Sequence, residues 1–187
     1  ASAGTQRTGC AVIGIHEGGE LGAAAAALDA RAGGLIRRIV RRGDFTGKAG
    51  EALPIADLGR GPAERALLVG LGARKDYSRR TLRTAATAAA EWLKKSAARD
   101  AVFYPTAERP EGLDAQQAAR LCALAVASAF YRIPDLKSGK KPPAPRLARL
   151  GFAVAGRGEL AGAGRALAEA DGIARGMALA RDLANLP

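Results

Sequence analysis

The sequence has few of the residues that build disulfide frameworks and metal sites. Its 187 residues include two cysteines, Cys10 and Cys122, and one histidine, His16. Two cysteines so far apart form neither a disulfide framework nor a metal knuckle, so we expect buried, reduced thiols in a cytosolic protein. The CxxC, HExxH and GxSxG patterns are absent, which leaves the histidine without the partners of a zinc site or a catalytic triad. We therefore expect His16 to be a surface or packing residue at a strand end.

Long apolar runs are also absent. The longest, from Leu121 to Tyr131, has about 11 residues and contains Ser128, whereas a membrane-spanning helix needs roughly 20. The first residues, Ala1 to Thr8, contain no apolar segment of the kind found in secretory signals. The sequence therefore predicts a soluble, cytoplasmic protein with no membrane partner.

Acidic residues are sparse and scattered. The chain has 18 aspartates and glutamates against 29 lysines and arginines. A two-metal hydrolytic site needs several oxygen ligands around ions about 3.5–4 Å apart, and no cluster of carboxylates suggests one. From its own residues we assign this chain no catalytic residue, no metal ligand and no cofactor.

Two glycine-rich segments resemble phosphate-binding motifs without completing them. Gly70-Leu71-Gly72 follows an apolar run, but a dinucleotide fingerprint needs a third glycine at position 75, which is Lys75. The segment Gly43 to Ala49 is one residue short of a P-loop, and Ala49 stands where a serine or threonine would contact magnesium. We interpret the first segment as a tight turn and reject the second as a nucleotide site.

Apolar runs typical of buried strands alternate with segments of helical periodicity. The predicted strands cover residues 11–15, 51–55, 66–71, 101–104 and 150–155, and the predicted helices cover 21–30, 35–42, 78–98, 114–132 and 160–186. Residues 43–50 are predicted to form a loop, and residues 133–145 a second, exposed and cationic one. This alternation predicts an α/β sandwich with a largely parallel sheet.

The main positive feature is a formal net charge of +11, which attracts polyanions and constrains function more than fold. Three basic clusters are the candidate nucleic-acid contacts: Arg37, Arg38, Arg41 and Arg42; Arg74, Lys75, Arg79, Arg80 and Arg83; and Lys137, Lys140 and Lys141. Phosphate neutralisation would require these groups to share one face. The alternative interpretations are solvated helix faces and an acidic neighbouring domain or subunit.

Four segments, in order, resemble one enzyme family. They read AVIGIHEGGEL at 11–21, GKAGE at 47–51 followed by ALLVGLG at 66–72, YRIPDLK at 131–137, and ARGMALARDLANLP at 174–187. The last is the most specific, through the pattern Arg181-Asp182-Leu183-x-Asn185-x-Pro187. On these segments nearly the whole chain resembles the amino-terminal domain of leucyl (cytosol) aminopeptidases, peptidase family M17.

The resemblance implies a macrodomain-like three-layer α/β domain over residues 1–157 and a linker helix over 158–187 that leads to a catalytic domain. It implies a whole protein that is a cytoplasmic homohexamer and releases amino-terminal residues from peptides, leucine by preference, with two divalent ions, zinc or manganese. The family's metal ligands and catalytic lysine and arginine lie beyond the matched stretch. No residue here inherits them, and the chain alone is expected to be inactive, supporting assembly and access to the active site.

Two other functions stay open. The first is a DNA-binding module, because the charge of +11 is compatible with it and because some members of the family bind DNA through this domain. The second is a binder of ADP-ribose or another nucleotide, suggested only by the implied macrodomain-like fold. A fold by itself does not license a function.

Overall fold

The structure, a computed structural model, describes residues 2–59, 61–132 and 144–185. A five-stranded sheet lies between two layers of helices, and a long helix follows. Short 3₁₀ turns over Arg74–Asp76 and Arg157–Glu159 precede the third and the last helix. In chain order the main elements are β1 (Thr8–His16), α1 (Ala23–Arg31), α2 (Leu35–Arg42), β2 (Ala52–Ile55), β3 (Ala63–Gly72), α3 (Arg79–Leu93), β4 (Asp100–Phe103), α4 (Ala115–Phe130), β5 (Arg149–Phe152) and α5 (Leu160–Ala184).

The sheet has the strand order β2-β3-β1-β4-β5. Strand β1 pairs in parallel with β3 and β4, β5 pairs in parallel with β4, and β2 is antiparallel to β3. All nine residues of β1 are buried, as expected for a parallel strand covered on both faces. Pro54 lies in β2 at the edge of the sheet, where a residue without an N–H donor is tolerated. The mostly parallel sheet confirms the predicted fold class.

Side chains along β1 alternate between two cores. On one face Val12 and Leu67 pack with α3 and α4. On the other face Ile13 and Leu68 pack with α1 and α2. Alternation follows from the pleat of a strand, in which successive side chains point to opposite faces. The two helical pairs therefore lie on opposite sides of the sheet, and this separation decides where the basic clusters can meet.

The last helix packs on α4 and runs parallel to it. Gly162, near the start of α5, faces Gln116 near the start of α4, and a Cβ at Gly162 would lie 2.7 Å from Gln116 Nε2. The buried side of α5 consists of small residues, among them Ala163, Ala166 and Ala170. Close packing of small residues offsets the weak helix propensity of the glycines in this segment. The long helix predicted from residue 160 onward is confirmed over Leu160–Ala184.

The predicted bounds of two elements are wrong for identifiable reasons. Strand β1 begins at Thr8 rather than at residue 11, because Thr8 and Cys10 pair in register with Ala63 and Arg65 of β3. The Thr8 hydroxyl and the Gly9 N–H also both donate to the Asp100 carboxylate. Helix α3 ends at Leu93 rather than at residue 98. There the Ser96 hydroxyl donates to the Leu93 carbonyl and closes a turn.

Smaller differences occur at other ends. Helix α1 begins at Ala23, two residues later than predicted, because Leu21 forms a bridge with Ile15. Strand β5 covers Arg149–Phe152 and stops before residue 155. The predicted cationic loop over 133–145 falls almost entirely outside the described residues.

A glycine at the end of β3 lets a loop cross the strand. The backbone of residues 47–51 lies on β3, with the Gly70 N–H donating to the Glu51 carbonyl at 2.8 Å and the Gly72 N–H donating to the Gly47 carbonyl at 2.9 Å. A Cβ at Gly70 would lie 1.9 Å from the Lys48 carbonyl oxygen. Only a residue without a side chain fits beneath this loop.

Substitution of Gly70 by alanine should therefore destabilise the fold, because the contact is with backbone that cannot rotate away. We expect a loss of about 1–3 kcal/mol in the free energy of unfolding, typical of overpacking. The matched control is Gly172→Ala in α5, where an added Cβ meets nothing within 4 Å and should stabilise by up to about 1 kcal/mol. Urea unfolding measures both, and equal stability of the two variants would contradict this account of the loop.

Candidate functional site

The arginines of α2 are placed on its exposed side, while Ile36 is buried. The backbone N–H of Arg37 donates to Asp29 Oδ1 at 3.1 Å, and its guanidinium lies 3.7 Å from Asp29 Oδ2. Arg38 donates to the Gly33 carbonyl at 2.6 Å. Arg41 and Arg42 occupy the last turn of the helix, where cations interact favourably with the helix dipole. The fold thus gives this cluster a structural explanation.

Two α2 side chains also line an open cleft. Arg37 and Arg41 border a cleft of about 640 Å³ beside Gly18, Gly19 and Phe45. The cleft lies next to the turn that follows β1. It is a surface that an anion could reach.

The second cluster has a less favourable setting. Arg79 and Arg80 lie in the first turn of α3, which carries no acidic residue, although cations are disfavoured at a helix N-terminus. Arg80 and Arg83 border a groove of about 420 Å³ together with Gly50 and Thr84. The stability of the helix therefore does not account for these arginines.

The structure does not bring the clusters of α2 and α3 onto one face. Helix α2 packs on one side of the sheet and α3 on the other. Arg74 and Lys75 lie on the short 3₁₀ turn that follows β3. The third cluster, at Lys137, Lys140 and Lys141, lies outside the described residues.

Three segments that carried the family resemblance meet where the central strands end. The Nδ1 atom of His16 lies 3.1 Å from the Gly72 carbonyl oxygen, and the imidazole meets the Tyr77 ring edge-on at 4.8 Å between centroids. Gly47 lies so close that a Cβ would sit 2.6 Å from the His16 carbonyl. His16 is 6% exposed, which confirms its interpretation as a packing residue.

A cleft of about 630 Å³ opens at this carboxyl edge. Its lining includes His16, Arg74, Lys75, Tyr77 and Glu108. In open α/β sheets, ligands bind outside the carboxyl ends of the strands, so this cleft is the position where the fold would hold a small molecule. Burial raises the pKa of Tyr77 well above its usual value, so its phenol stays protonated.

One carboxylate of the cleft is already engaged. Glu108 Oε1 accepts a hydrogen bond from the Ala24 N–H at 2.7 Å, at the first turn of α1. The neighbouring Arg109 donates to Glu159 Oε1 at 2.6 Å and to the Leu113 carbonyl at 2.8 Å. The Arg109 guanidinium holds the pKa of Glu159 below its usual range. Sequence reasoning missed Glu108, since no short motif marks a residue that reaches a helix 84 positions away.

The loop that resembles a P-loop holds a carboxylate of its own. The N–H groups of Thr46, Gly47 and Lys48 all donate to Glu51, and the Thr46 hydroxyl donates to it at 2.7 Å. Successive N–H groups of this kind form an anion-binding concavity. Burial raises the pKa of Glu51, but the hydrogen bonds from Thr46, Gly47 and Lys48 outweigh it, so the pKa lies below its usual value. The GKAGE motif thus contains two of these N–H donors, at Gly47 and Lys48, and also the Glu51 carboxylate that accepts from them.

Polar side-chain contacts also hold α5 against α4, beside the small residues that pack between the two helices. Arg120 pairs with Glu169 at 2.6 Å. The Tyr131 hydroxyl donates to Asp182 at 2.9 Å, and the Arg181 guanidinium lies 5.0 Å from the Tyr131 ring centroid. Tyr131 begins the YRIPDLK segment and Arg181-Asp182 belongs to the final segment, so the folded chain brings these two segments into contact.

Both cysteines are buried and free, as predicted. Burial raises the pKa of Cys10 to about 12, and burial likewise raises the pKa of Cys122. Protonated thiols are poor nucleophiles and poor metal ligands. Among residues 2–59, 61–132 and 144–185, no group of three histidine, cysteine, aspartate or glutamate side chains is placed to hold a metal ion. Over the same ranges, none of the helices is both long and apolar enough to span a bilayer.

Replacing Glu51 with glutamine removes the charge that four donors share and should lower the free energy of unfolding. The folded-state pKa lies below the ordinary 4.5, so the stabilisation is present above that value and is lost as the pH falls through the lowered pKa. The stability gap between the parent chain and E51Q should be constant above about pH 6 and shrink in acid. Urea unfolding at several pH values tests this, with Glu91→Gln as the exposed control. A stability difference between the parent chain and E51Q that does not change with pH would refute the stabilisation of the ionised Glu51 carboxylate by these N–H donors.

Comparison with known proteins gives a consistent result. The model of the cytosol aminopeptidase family, N-terminal domain, matches residues 12–140. A probable cytosol aminopeptidase of Alkalilimnicola ehrlichii is 39% identical over 186 residues, which cover 100% of this chain and 37% of that protein. A cytosol aminopeptidase of Pseudomonas aeruginosa is 38% identical over 183 residues, with 98% and 37% covered. The chain therefore spans a little over a third of these relatives.

Solved structures show the same fold. A tomato leucine aminopeptidase mutant superposes with a TM-score of 0.74 at 24% identity, covering 97% of this chain and 36% of that one. The bottromycin maturation enzyme BotP in complex with Mn gives 0.66 at 25%, covering 96% and 32%. A Trypanosoma brucei macrodomain in complex with ADP gives 0.60 at 17%, covering 86% and 63%, which confirms the macrodomain-like architecture. The sheet, the long final helix and the family match together establish that this chain belongs to the cytosol aminopeptidase family, as an amino-terminal domain.

Proposed function

We propose that this chain is the non-catalytic amino-terminal part of a leucyl aminopeptidase that releases amino-terminal residues from peptides in intracellular protein turnover. The chain spans 37% of its relative from Alkalilimnicola ehrlichii, and its described residues contain no metal-binding group. The two divalent ions, manganese or zinc, would be held by the remainder of the whole protein. Manganese accompanies BotP, a related enzyme. No step of the hydrolysis is assigned to the residues of this chain.

The observation that carries the proposal is the exposed apolar face of α5. Among the described residues, every large hydrophobic side chain that is exposed lies on this helix. Leu179 is 60% exposed and Leu183 is 62% exposed. They lie one turn apart, on the side of α5 opposite the alanines that contact α4. Such a face is typical of a surface that another domain covers, and we infer that the catalytic part of the whole protein covers it.

The contacts at the two ends of α5 also suit a rigid linker between two domains. Its base is fixed to the domain by Arg109 and Glu159, and its last turn by Tyr131 and Asp182. A helix held at both ends transmits its direction to whatever follows. We therefore propose a division into a domain over residues 1–157 and a linker helix over 158–187. In a cytoplasmic homohexamer this helix would set the position of the domain relative to the catalytic part, and thereby support assembly and access to the active site.

In the whole protein, the double substitution Leu179→Lys and Leu183→Lys should weaken the contact with the catalytic part. We expect lower peptidase activity and a lower melting temperature, because two ammonium groups would be buried without partners. In the isolated chain the same substitutions should change the free energy of unfolding by less than about 0.5 kcal/mol each, since both positions are exposed. Leu179→Met with Leu183→Met is the matched control and should behave like the parent.

Two results would contradict the proposal. One is a whole protein that tolerates both lysines with unchanged activity and melting temperature. The other is hydrolysis of a leucine amide by the mass-verified 187-residue chain with added manganese, because the active site would then lie within this chain.

A second candidate function is binding of DNA, favoured by the arginines at the start of α3. These cations oppose the helix dipole, so a phosphate backbone would relieve an unfavourable arrangement. The arginines of α2 give weaker support, because Arg37 and Arg38 have partners within the domain.

If α3 contacts phosphates, the triple variant Arg79→Gln, Arg80→Gln and Arg83→Gln should reduce the salt dependence of duplex binding. Three lost contacts lower the slope of log K against log salt by roughly 2.7. Binding across about 50–300 mM salt measures this. A matched α2 triple variant, at Arg37, Arg38 and Arg41, should lower the slope less. Parent binding that has vanished by the middle of this range would end the DNA hypothesis.

A further inference from the structure

The cleft at the carboxyl edge has the dimensions of a ligand site. Its volume is about 630 Å³, within the range of small-molecule pockets. Arg74 and Lys75 line it and are exposed. The first turn of α1 also opens into it through Gly22 and Ala23, and a helix N-terminus with free N–H groups attracts phosphates. These features would admit a phosphate-bearing ligand if the helix end were free.

The helix end is taken by a side chain of the same protein. Glu108 Oε1 lies 2.7 Å from the Ala24 nitrogen. Helix α1 has no acidic residue in its first turn and no side-chain cap at Gly22, so the anion comes from the loop after β4. The Glu108 carboxylate occupies the position in which a phosphate would accept a hydrogen bond from the same Ala24 N–H.

The local backbone is shaped to receive this carboxylate. A Cβ at Gly22 would lie 2.1 Å from Glu108 Oε2 and 2.7 Å from its carboxyl carbon. Glycine at this position therefore leaves room for the side chain. Of the cations that line the cleft, Arg109 is engaged by Glu159 and the Leu113 carbonyl. Arg74 forms an exposed ion pair with Glu20 at 3.4 Å, and Lys75 is exposed beside it.

The same arrangement recurs at the neighbouring loop. Thr46, Gly47 and Lys48 direct three N–H groups at Glu51, and Gly47 contacts the end of β1. At this edge of the sheet, backbone N–H donors in two places thus meet a glutamate of the chain: three donors at Glu51 and the single Ala24 N–H at Glu108.

We propose that Glu108 is an internal anion that occupies the phosphate position at the start of α1 and keeps nucleotides out of the cleft. The carboxylate excludes a phosphate both by filling its place and by repelling its charge. The domain accordingly has the architecture of a nucleotide binder and a cleft closed by its own side chain. This inference does not depend on the aminopeptidase function, because it concerns the cleft alone.

The test is calorimetric titration of the chain with ADP-ribose and with inorganic pyrophosphate. We expect no saturable binding by the parent up to about 1 mM ligand. Glu108→Ala should bind at least about tenfold more tightly, the effect that one charge-assisted hydrogen bond carries. Glu108→Gln should gain less, because its amide oxygen can still accept the Ala24 N–H. The control is Glu111→Ala, which removes an exposed charge from the same cleft without freeing the Ala24 N–H, and should gain clearly less affinity than Glu108→Ala.

Three outcomes would overturn the proposal. The parent could bind as tightly as the Glu108→Ala variant. The folded variant could fail to bind either ligand. Glu111→Ala could gain as much affinity as Glu108→Ala, which would make net charge the cause. Circular dichroism establishes that each variant is folded, and if Glu108→Ala is not, the comparison of Glu108→Gln with Glu111→Gln decides in the same way.

Discussion

The parallel pairing of β1 with β3 is the contact on which the rest of the structure depends. It is buried on both faces, so it separates the core under α1 and α2 from the core under α3 and α4. At its carboxyl end the two strands bring His16 next to Gly72. The loop at Gly47 and the cleft at Glu108 are both built around that end. Burial on both faces also requires every backbone group there to find a partner within the protein.

Carboxylates accept hydrogen bonds from backbone N–H groups at several points around the sheet. In a chain with 18 acidic residues against 29 basic ones, several acids are used for backbone N–H groups rather than for surface charge. Asp100 holds the start of β1, Glu51 fills the loop at 46–48, and Glu108 serves the first turn of α1. Asp100 and Glu108 accept from partly buried N–H donors, which would be costly to leave without an acceptor.

The last helix connects packing with function. Its contact with α4 consists of small residues that allow close approach, and its polar contacts at Glu159, Glu169 and Asp182 fix its direction. The opposite side keeps leucines exposed. A helix that packs on its own domain with one face and leaves an apolar face exposed is typical of a helix that lies between two domains. This arrangement fits a domain that positions a catalytic part without contributing to its chemistry.

Local sequence patterns alone predict the fold class, the order of the elements and the family. These depend on local periodicity and on short segments such as AVIGI and ALLVGL, whose apolar pattern is readable without knowing what they contact. The end of α3 did not follow, because helical periodicity does not reveal the local bond from the Ser96 hydroxyl to the Leu93 carbonyl. The start of β1 did not follow either, because Thr8 bonds to Asp100, a partner that only the folded chain brings near. The same reason hid Glu108, which reaches a helix 84 residues away. Whether basic clusters share a face was likewise decided by tertiary structure, since the sheet separates α2 from α3.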